Sequence, residues 1–397
     1  MSEAQRILRV NGVASLLLAL ASSTSGVKEL LGSDQFGSEP LSRPETGVAL
    51  LCAYGITCLG LSLFGLERVK GSVALACSIL FSAIFGFEAL ARPFVPDYTT
   101  IFQEDAGLGW RLRPETTDDW LGVDVTINSL GMRGGIASKE PSTSILFLGD
   151  SVTFGAFLER DAQTIPAIAQ ARLAGSGHNA LCLNGGVGGW STWQQKAWLL
   201  EVAESLKPKV VVINAVLNDA TESLRGDLNR ASRGFQLARS IEPGLLSETT
   251  WGRALRFLRR SYRGDELREQ AARESELGVY ELLRSPEMPA SREAWAAHLG
   301  ELQDLVETIK ENGATPVLVA HPYTVQFEAP GLWWPQRSYE SWCQARGVAY
   351  IDGAKQILSS GENPASCYHD GVHPNKKGAA LLGMTVADEL LSRGLVH

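Results

Sequence analysis

The sequence reads as an α/β protein: a three-layer αβα domain on five parallel strands, behind an N-terminal region that crosses a membrane as helices. Three observations predict it. Short apolar stretches alternate with helical ones from residue 144 onward. Two almost charge-free runs of about bilayer length precede them. Chemistry-bearing motifs stand just after the predicted strands, where a parallel sheet builds its sites.

The 397 residues divide into a membrane anchor (1–95), a small β lead-in (96–143) and a main domain (144–397) with a helical insertion at 220–291. A net charge of -8 and the lack of a basic run argue against a nucleic-acid partner. Residues 48–66 hold no charge, and residues 72–91 hold only Glu88. Each approaches the ~20 residues that span a bilayer core. Buried globular helices are the alternative, but two adjacent runs of this length are unusual in a soluble core. A weaker run, 12–27, follows Arg6 and Arg9 and holds Ser22, Ser23, Thr24 and Ser25. It reads as a first span, or as a cleaved signal peptide with Ala19-x-Ala21 as the processing site. Two or three spans are therefore expected.

Arg68 and Lys70 fill the turn between the strong runs, which makes that turn cytoplasmic. Everything after Arg92 then faces the periplasm or the outside; Lys28, Arg43 and Arg92 weaken this signal without reversing it. Cys52, Cys58 and Cys77 fall in the apolar runs, and Cys182, Cys343 and Cys367 lie beyond them. An outside compartment permits a Cys343–Cys367 disulfide, and free thiols throughout remain equally open.

In the lead-in, Gly109-Trp110-Arg111-Leu112-Arg113-Pro114 precedes a strand at 123–127, then Asn128-Ser129-Leu130-Gly131-Met132-Arg133 with Gly131 in a turn. The main domain offers strands at 145–148, 180–183, 210–215, 316–320 and 348–351. Helices are expected at 162–173, 192–205, 292–311, 339–345 and 376–391. Such apolar strands belong in a parallel sheet covered on both faces. The insertion sets Trp251, Leu255, Phe257 and Leu258 beside Arg253, Arg256, Arg259 and Arg260. It reads as a solvated helical elaboration, or as a cap over the site or a surface for anionic headgroups or glycans.

Strand one runs into Gly149-Asp150-Ser151, which puts a hydroxyl at the sheet's end. Alone this is a weak signal, since an ordinary N-cap serine looks the same. Strand two ends in Asn184-Gly185-Gly186-Val187-Gly188-Gly189-Trp190, whose glycines let backbone N–H groups approach a ligand. A plain turn is the alternative; a phosphate loop is disfavoured because no Lys-Ser or Lys-Thr follows. Strand three ends in Val216-Leu217-Asn218-Asp219, an amide donor or simply an Asn-Asp turn. Near the C-terminus stands His369-Asp370-Gly371-Val372-His373-Pro374-Asn375. Asp370 can fix the His373 tautomer from within one loop, and Asn375 can cap the last helix. A metal site from His369, Asp370 and His373 lacks further ligands to complete a shell. In this order the motifs supply a nucleophile (Ser151), an oriented base (His373 with Asp370) and oxyanion donors (Ser151, Gly189, Asn218). No metal or other cofactor is expected. Trp190 and Trp193, Trp333 and Trp334, and His321 at the end of strand four are candidate substrate contacts, with packing under loops and a structural histidine as the alternatives.

These residues resemble the SGNH hydrolases, the GDSL-type esterase and lipase superfamily. Ser151, Gly189, Asn218 and His373 stand at its four namesake positions, and the resemblance runs from residue 144 to the end except for the insertion. It implies a flavodoxin-like domain in which Ser151 attacks an acyl carbonyl, His373 is the base and Asp370 its orienter. The lead-in also resembles a segment found before such domains in bacterial proteins. Val216 departs from the family's Gly in the third block, which would narrow the acyl pocket. Combined with the predicted spans, the resemblance points to an anchored, outward-facing esterase acting on an acylated, especially acetylated, envelope glycan or a lipid. The alternatives are an O-acetyltransferase of an exported polysaccharide, with a membrane acyltransferase as a candidate partner, and a non-catalytic glycan-binding module.

Overall fold

The computed structural model describes residues 3–21, 101–120, 123–135, 141–223 and 276–396. The chain divides into two compact units, Met1–Tyr98 with Ile241–Glu266 and Thr99–Ser240 with Leu267–His397. The described part of the first unit is one helix, α1 (Glu3–Ala21). Among the described residues no helix is long and apolar enough to cross a membrane. That includes α1, which covers the start of the weak 12–27 run. The strong runs at 48–66 and 72–91, their cysteines, and the Trp251–Arg260 cluster lie outside the described residues.

The second unit opens with two antiparallel hairpins. In the first, β1 (Phe102–Asp105) pairs with β2 (Gly109–Leu112). In the second, β3 (Thr116–Trp120) pairs with β4 (Val123–Ile127). The turn after β4 follows from its sequence. Asn128 Oδ1 accepts the N–H groups of Leu130 and Met132, and Gly131 takes a φ of 72° that a side chain would strain.

The main sheet has five parallel strands: β5 (Thr143–Gly149), β6 (Ala180–Gly186), β7 (Val210–Ala215), β8 (Thr315–Ala320) and β9 (Ala349–Asp352). Their spatial order is β6-β5-β7-β8-β9. Every residue of the central β7 is buried, as its unbroken Val-Val-Val-Ile run requires, whereas the edge strand β9 is mostly half-buried. Nine described α-helices of this unit accompany the strands. After α1 come α2 (Ser151–Phe154), α3 (Ile165–Gly175), α4 (Thr192–Leu206), α5 (Leu217–Ser223) and α6 (residues 276–284). They are followed by α7 (Pro289–Glu311), α8 (Trp334–Arg346), α9 (Gly353–Ser359) and α10 (Lys376–Ser392).

Helices α3 and α10 pack together with α9 as one layer, and α4, α7 and α8 pack against the sheet as the other. This is the arrangement that right-handed crossovers give for such a strand order. Asn375 caps α10 by accepting from Lys377 and Gly378 N–H. Cys343 and Cys367 are both free and buried, in separate apolar clusters, so the disulfide pairing does not form. Burial pushes the Cys182 and Cys343 thiols up to about 12, which leaves them inert.

The sheet aligns its carboxyl ends. Gly149 of β5 lies beside Gly186 of β6, and Ala215 of β7 beside Ala320 of β8. At Gly186 the fit is tight, because an added Cβ would lie 2.3 Å from Phe154 N and 2.7 Å from Thr153 C. Those atoms are backbone of α2 and cannot step aside. Gly186→Ala is therefore expected to cost about 3 kcal/mol, at the upper end for overpacking. A fall in the urea midpoint at unchanged slope would check this.

Candidate active site

Three loops converge beyond the carboxyl edge of the sheet. At the end of β5, Asp150 caps α2 by accepting the Val152 N–H at 2.9 Å, and Ser151 is the first residue of the helix. An N–H in a first helical turn has no intrahelical acceptor. Accordingly the Ser151 N–H has no hydrogen-bond partner among the described residues. At the end of β6 the chain turns through Gly188 and Gly189. Gly189 is exposed with a φ of 78°, and its N–H is likewise without a partner among the described residues. Beyond β7, Asn218 lies in the first turn of α5 and donates through Nδ2 to Asp150 Oδ2 at 3.2 Å. An amide nitrogen carries two hydrogens, so one remains for another acceptor.

The fourth segment crosses from the C-terminal loop. His373 Nε2 lies 2.8 Å from Ser151 Oγ, and His373 Nδ1 lies 2.7 Å from Asp370 Oδ2. The other Asp370 oxygen accepts the N–H groups of Val372 and His373. Burial would raise the Asp370 carboxyl, but its bond and attraction to His373 and these two N–H groups outweigh that and hold it at about 2. Asp370 is thus ionised across the physiological range. It requires a proton on Nδ1, which leaves Nε2 free to accept from the serine hydroxyl.

Asp150 and Phe157 were not legible from the motifs. Asp150 is 2% exposed. Its carboxyl is raised by burial, against the pull of Val152 N–H, the His373 charge and the Asn218 amide. It links the helix that presents Ser151 to the amide of Asn218. Phe157 takes a φ of 64°, which is costly for a bulky residue. Its ring stacks on His369 at 4.1 Å and meets the His373 ring edge-on at 5.3 Å, limiting how far the imidazole can swing.

Trp190 and His321 correct the expectation drawn from sequence. Trp190 is fully buried, and its Nε1 donates to Trp110 O at 2.9 Å, so no substrate reaches its face. His321 is 2% exposed and bonds Asn214 Oδ1 through Nε2 at 2.8 Å. Asn214 Nδ2 in turn donates to Leu148 O, so the network stitches β8, β7 and β5 together. The indole of Trp334 bonds Leu283 O in α6, and Trp333 packs on Phe327. Val216 is buried in the main core rather than lining open space. Both His373 nitrogens are engaged and His369 is stacked on Phe157. Among the described residues no group of three acids, cysteines or histidines could hold a metal.

Burial lowers His321 from 6.5 to about 4. An unfolded chain therefore protonates it first. Its stabilising contribution is complete above about pH 6.5 and is lost as pH falls toward 4. The loss should be on the order of 3 kcal/mol across that window. Urea unfolding at several pH values checks this, and His321→Gln should flatten the slope.

A serine hydroxyl, an imidazole and a carboxylate in one hydrogen-bonded line, with unpaired donors beside them at the carboxyl edge of a parallel sheet, is the equipment of a serine ester hydrolase. Residues 147–381, more than half of the chain, match the GDSL-like lipase/acylhydrolase family. The protein belongs to that family and is a carboxylic ester hydrolase. No curated relative matches the sequence. Solved structures similar to this chain include TesA (17% identity, 62% of this chain and 98% of that one, TM-score 0.39). Another is a catalytic mutant of Axe2, an acetylxylan esterase from Geobacillus stearothermophilus (17%, 63% and 94%, TM-score 0.39). A third is the psychrotrophic esterase EstA from Pseudoalteromonas (13%, 64% and 98%, TM-score 0.36).

Proposed function

We propose that this chain is a membrane-anchored serine esterase that removes a short acyl group, acetyl first, from a glycan of the cell envelope, with acylated lipids as the next substrate class. Ser151 Oγ attacks the ester carbonyl while His373 Nε2 takes its proton. His373 then protonates the departing alcohol, and Asp370 stabilises the imidazolium in between. The negative charge on the carbonyl oxygen meets Ser151 N–H, Gly189 N–H and Asn218 Nδ2. Water, activated by the same histidine, releases the acyl group as the free acid.

The observation that carries this reading is the unbroken line from Ser151 Oγ through His373 to Asp370, at 2.8 and 2.7 Å. A short acyl group is supported by the close packing beside the nucleophile: among the described residues, the depression bordered by Ser151, His373, Gly155, Ala156 and Leu158 encloses almost no free volume for a long chain. Anchoring rests on the two apolar runs, 48–66 and 72–91, and the outward orientation on Arg68 and Lys70 between them.

The test is acyl release by the full-length protein in detergent or membranes, from acetylated oligosaccharides and from para-nitrophenyl esters of rising chain length. Free acetate at rates far above those for octanoyl esters is expected. Acyl transfer to an added sugar hydroxyl in preference to water would replace hydrolysis with transfer. Equal rates on long chains would remove the short-acyl assignment. Recovery of the protein in a salt-washed soluble fraction would remove the anchor.

A further inference from the structure

The residues that match the family begin at 147, yet the Gly189 loop is held from outside them, by the lead-in. Two indole bonds cross at this loop. Trp110 Nε1 donates to Gly188 O at 3.1 Å, and Trp190 Nε1 donates back to Trp110 O at 2.9 Å. Gly189 lies between them, and a Cβ placed there would stand 3.2 Å from Trp110 Cζ2. Trp120 closes the other side: its ring would lie 2.8 Å from a Cβ on Gly188 and meets Phe154 of α2 edge-on at 4.8 Å. The β1–β2 turn that leads into Trp110 is itself fixed, because buried Gln194 at the start of α4 donates to Leu108 O at 2.7 Å.

The same segment also grips the turn after the serine. Arg133 is 4% exposed and spends its guanidinium on Gly155 O and Leu158 O, both at 2.6 Å, on Phe154 O at 3.3 Å and on the Asp161 carboxylate at 2.8 Å. A buried guanidinium is tolerated only with its donors met, and here most are met by the backbone that follows Ser151.

We propose that Trp110 is a positioning residue of the oxyanion site: its indole N–H, bonded to Gly188 O, sets the peptide plane from which the Gly189 N–H points at the reacting carbonyl. This rests on the reading of Gly189 as an oxyanion donor. A donor helps only where the oxyanion forms, so a loop free to rotate loses transition-state stabilisation before it loses substrate. Trp110 acts through Gly188 and Gly189, and the lead-in is a working part of the catalytic centre.

The experiment compares full-length wild type, Trp110→Phe and Trp110→Ala on para-nitrophenyl acetate, with kcat normalised to the serine titrated by a fluorophosphonate. Trp110→Phe keeps a ring but deletes the N–H. It should lower kcat about tenfold with KM within about twofold, and Trp110→Ala about a hundredfold, fractions of the loss from removing a donor outright. The inhibition constant of an alkylboronic acid, which binds as a tetrahedral serine adduct, should rise by the same factors. Unchanged kcat and boronate binding in Trp110→Phe would overturn the proposal, even if Trp110→Ala fails to fold. A raised KM at constant kcat would overturn it too, making Trp110 a substrate contact. Ser151→Ala, run alongside, separates the two readings. Activity that survives it removes the assignment of the site, whereas activity lost with it but indifferent to Trp110 removes only this inference.

Discussion

Ser151→Ala is expected to lower kcat for a para-nitrophenyl ester by about 10⁵- to 10⁶-fold, and His373→Ala by about as much. The two residues act as one unit. Without the hydroxyl the imidazole has nothing to deprotonate, and without the imidazole the hydroxyl is not a nucleophile at neutral pH. The double variant should therefore be no slower than either single one. Asp370→Asn removes the charge that opposes the imidazolium and permits the wrong tautomer, which is expected to cost about 10⁴-fold. Steady-state rates, corrected for the uncatalysed reaction and for trace wild type, check all four. Additive losses in the double variant would mean that Ser151 and His373 serve separate steps, against their 2.8 Å contact.

Asn218→Ala is expected to lower kcat about 10²- to 10³-fold with little change in KM, the signature of a contact made in the transition state. One Asn218 hydrogen is held by Asp150 Oδ2, and this fixes where the other points. Asp150→Asn keeps an acceptor for the Val152 N–H but sets an uncharged amide against Asn218. A smaller fall in kcat, about tenfold, should follow. Matched kcat and KM measurements on the two variants and wild type check the pair. Wild-type kcat in Asn218→Ala would leave that amide without a part in the reaction.

The five-stranded sheet was legible because its strands are short, apolar and spaced by helices, and a parallel sheet buried on both faces demands such sequences. Val210–Ala215 reads directly as the fully buried central strand. The lead-in was only partly legible. Val123–Ile127 alternates visibly, but Phe102–Asp105 and Thr116–Trp120 are short and polar, and only their partner strands make them strands. In the site, the motif order gave the residues at the strand ends, and Asp370 and His373 declare themselves by sharing one loop.

Side-chain direction was not legible. Trp190 and His321 follow strands much as Asn218 does, yet both turn inward to partners 80 and 107 residues away. Asp150, Phe157, Trp110 and Arg133 escaped for the same reason. Their roles consist of contacts with distant segments, which no local pattern encodes.

The most direct test of the account is the stoichiometry and site of labelling by a fluorophosphonate, read by intact mass and peptide mapping. A reactive hydroxyl hydrogen-bonded to His373 should take up one phosphonyl group per chain, on Ser151. Labelling should vanish in Ser151→Ala and slow by orders of magnitude in His373→Ala. A phosphonyl group on a different residue, or labelling that persists undiminished in Ser151→Ala, would contradict the assignment of Ser151 as the nucleophile.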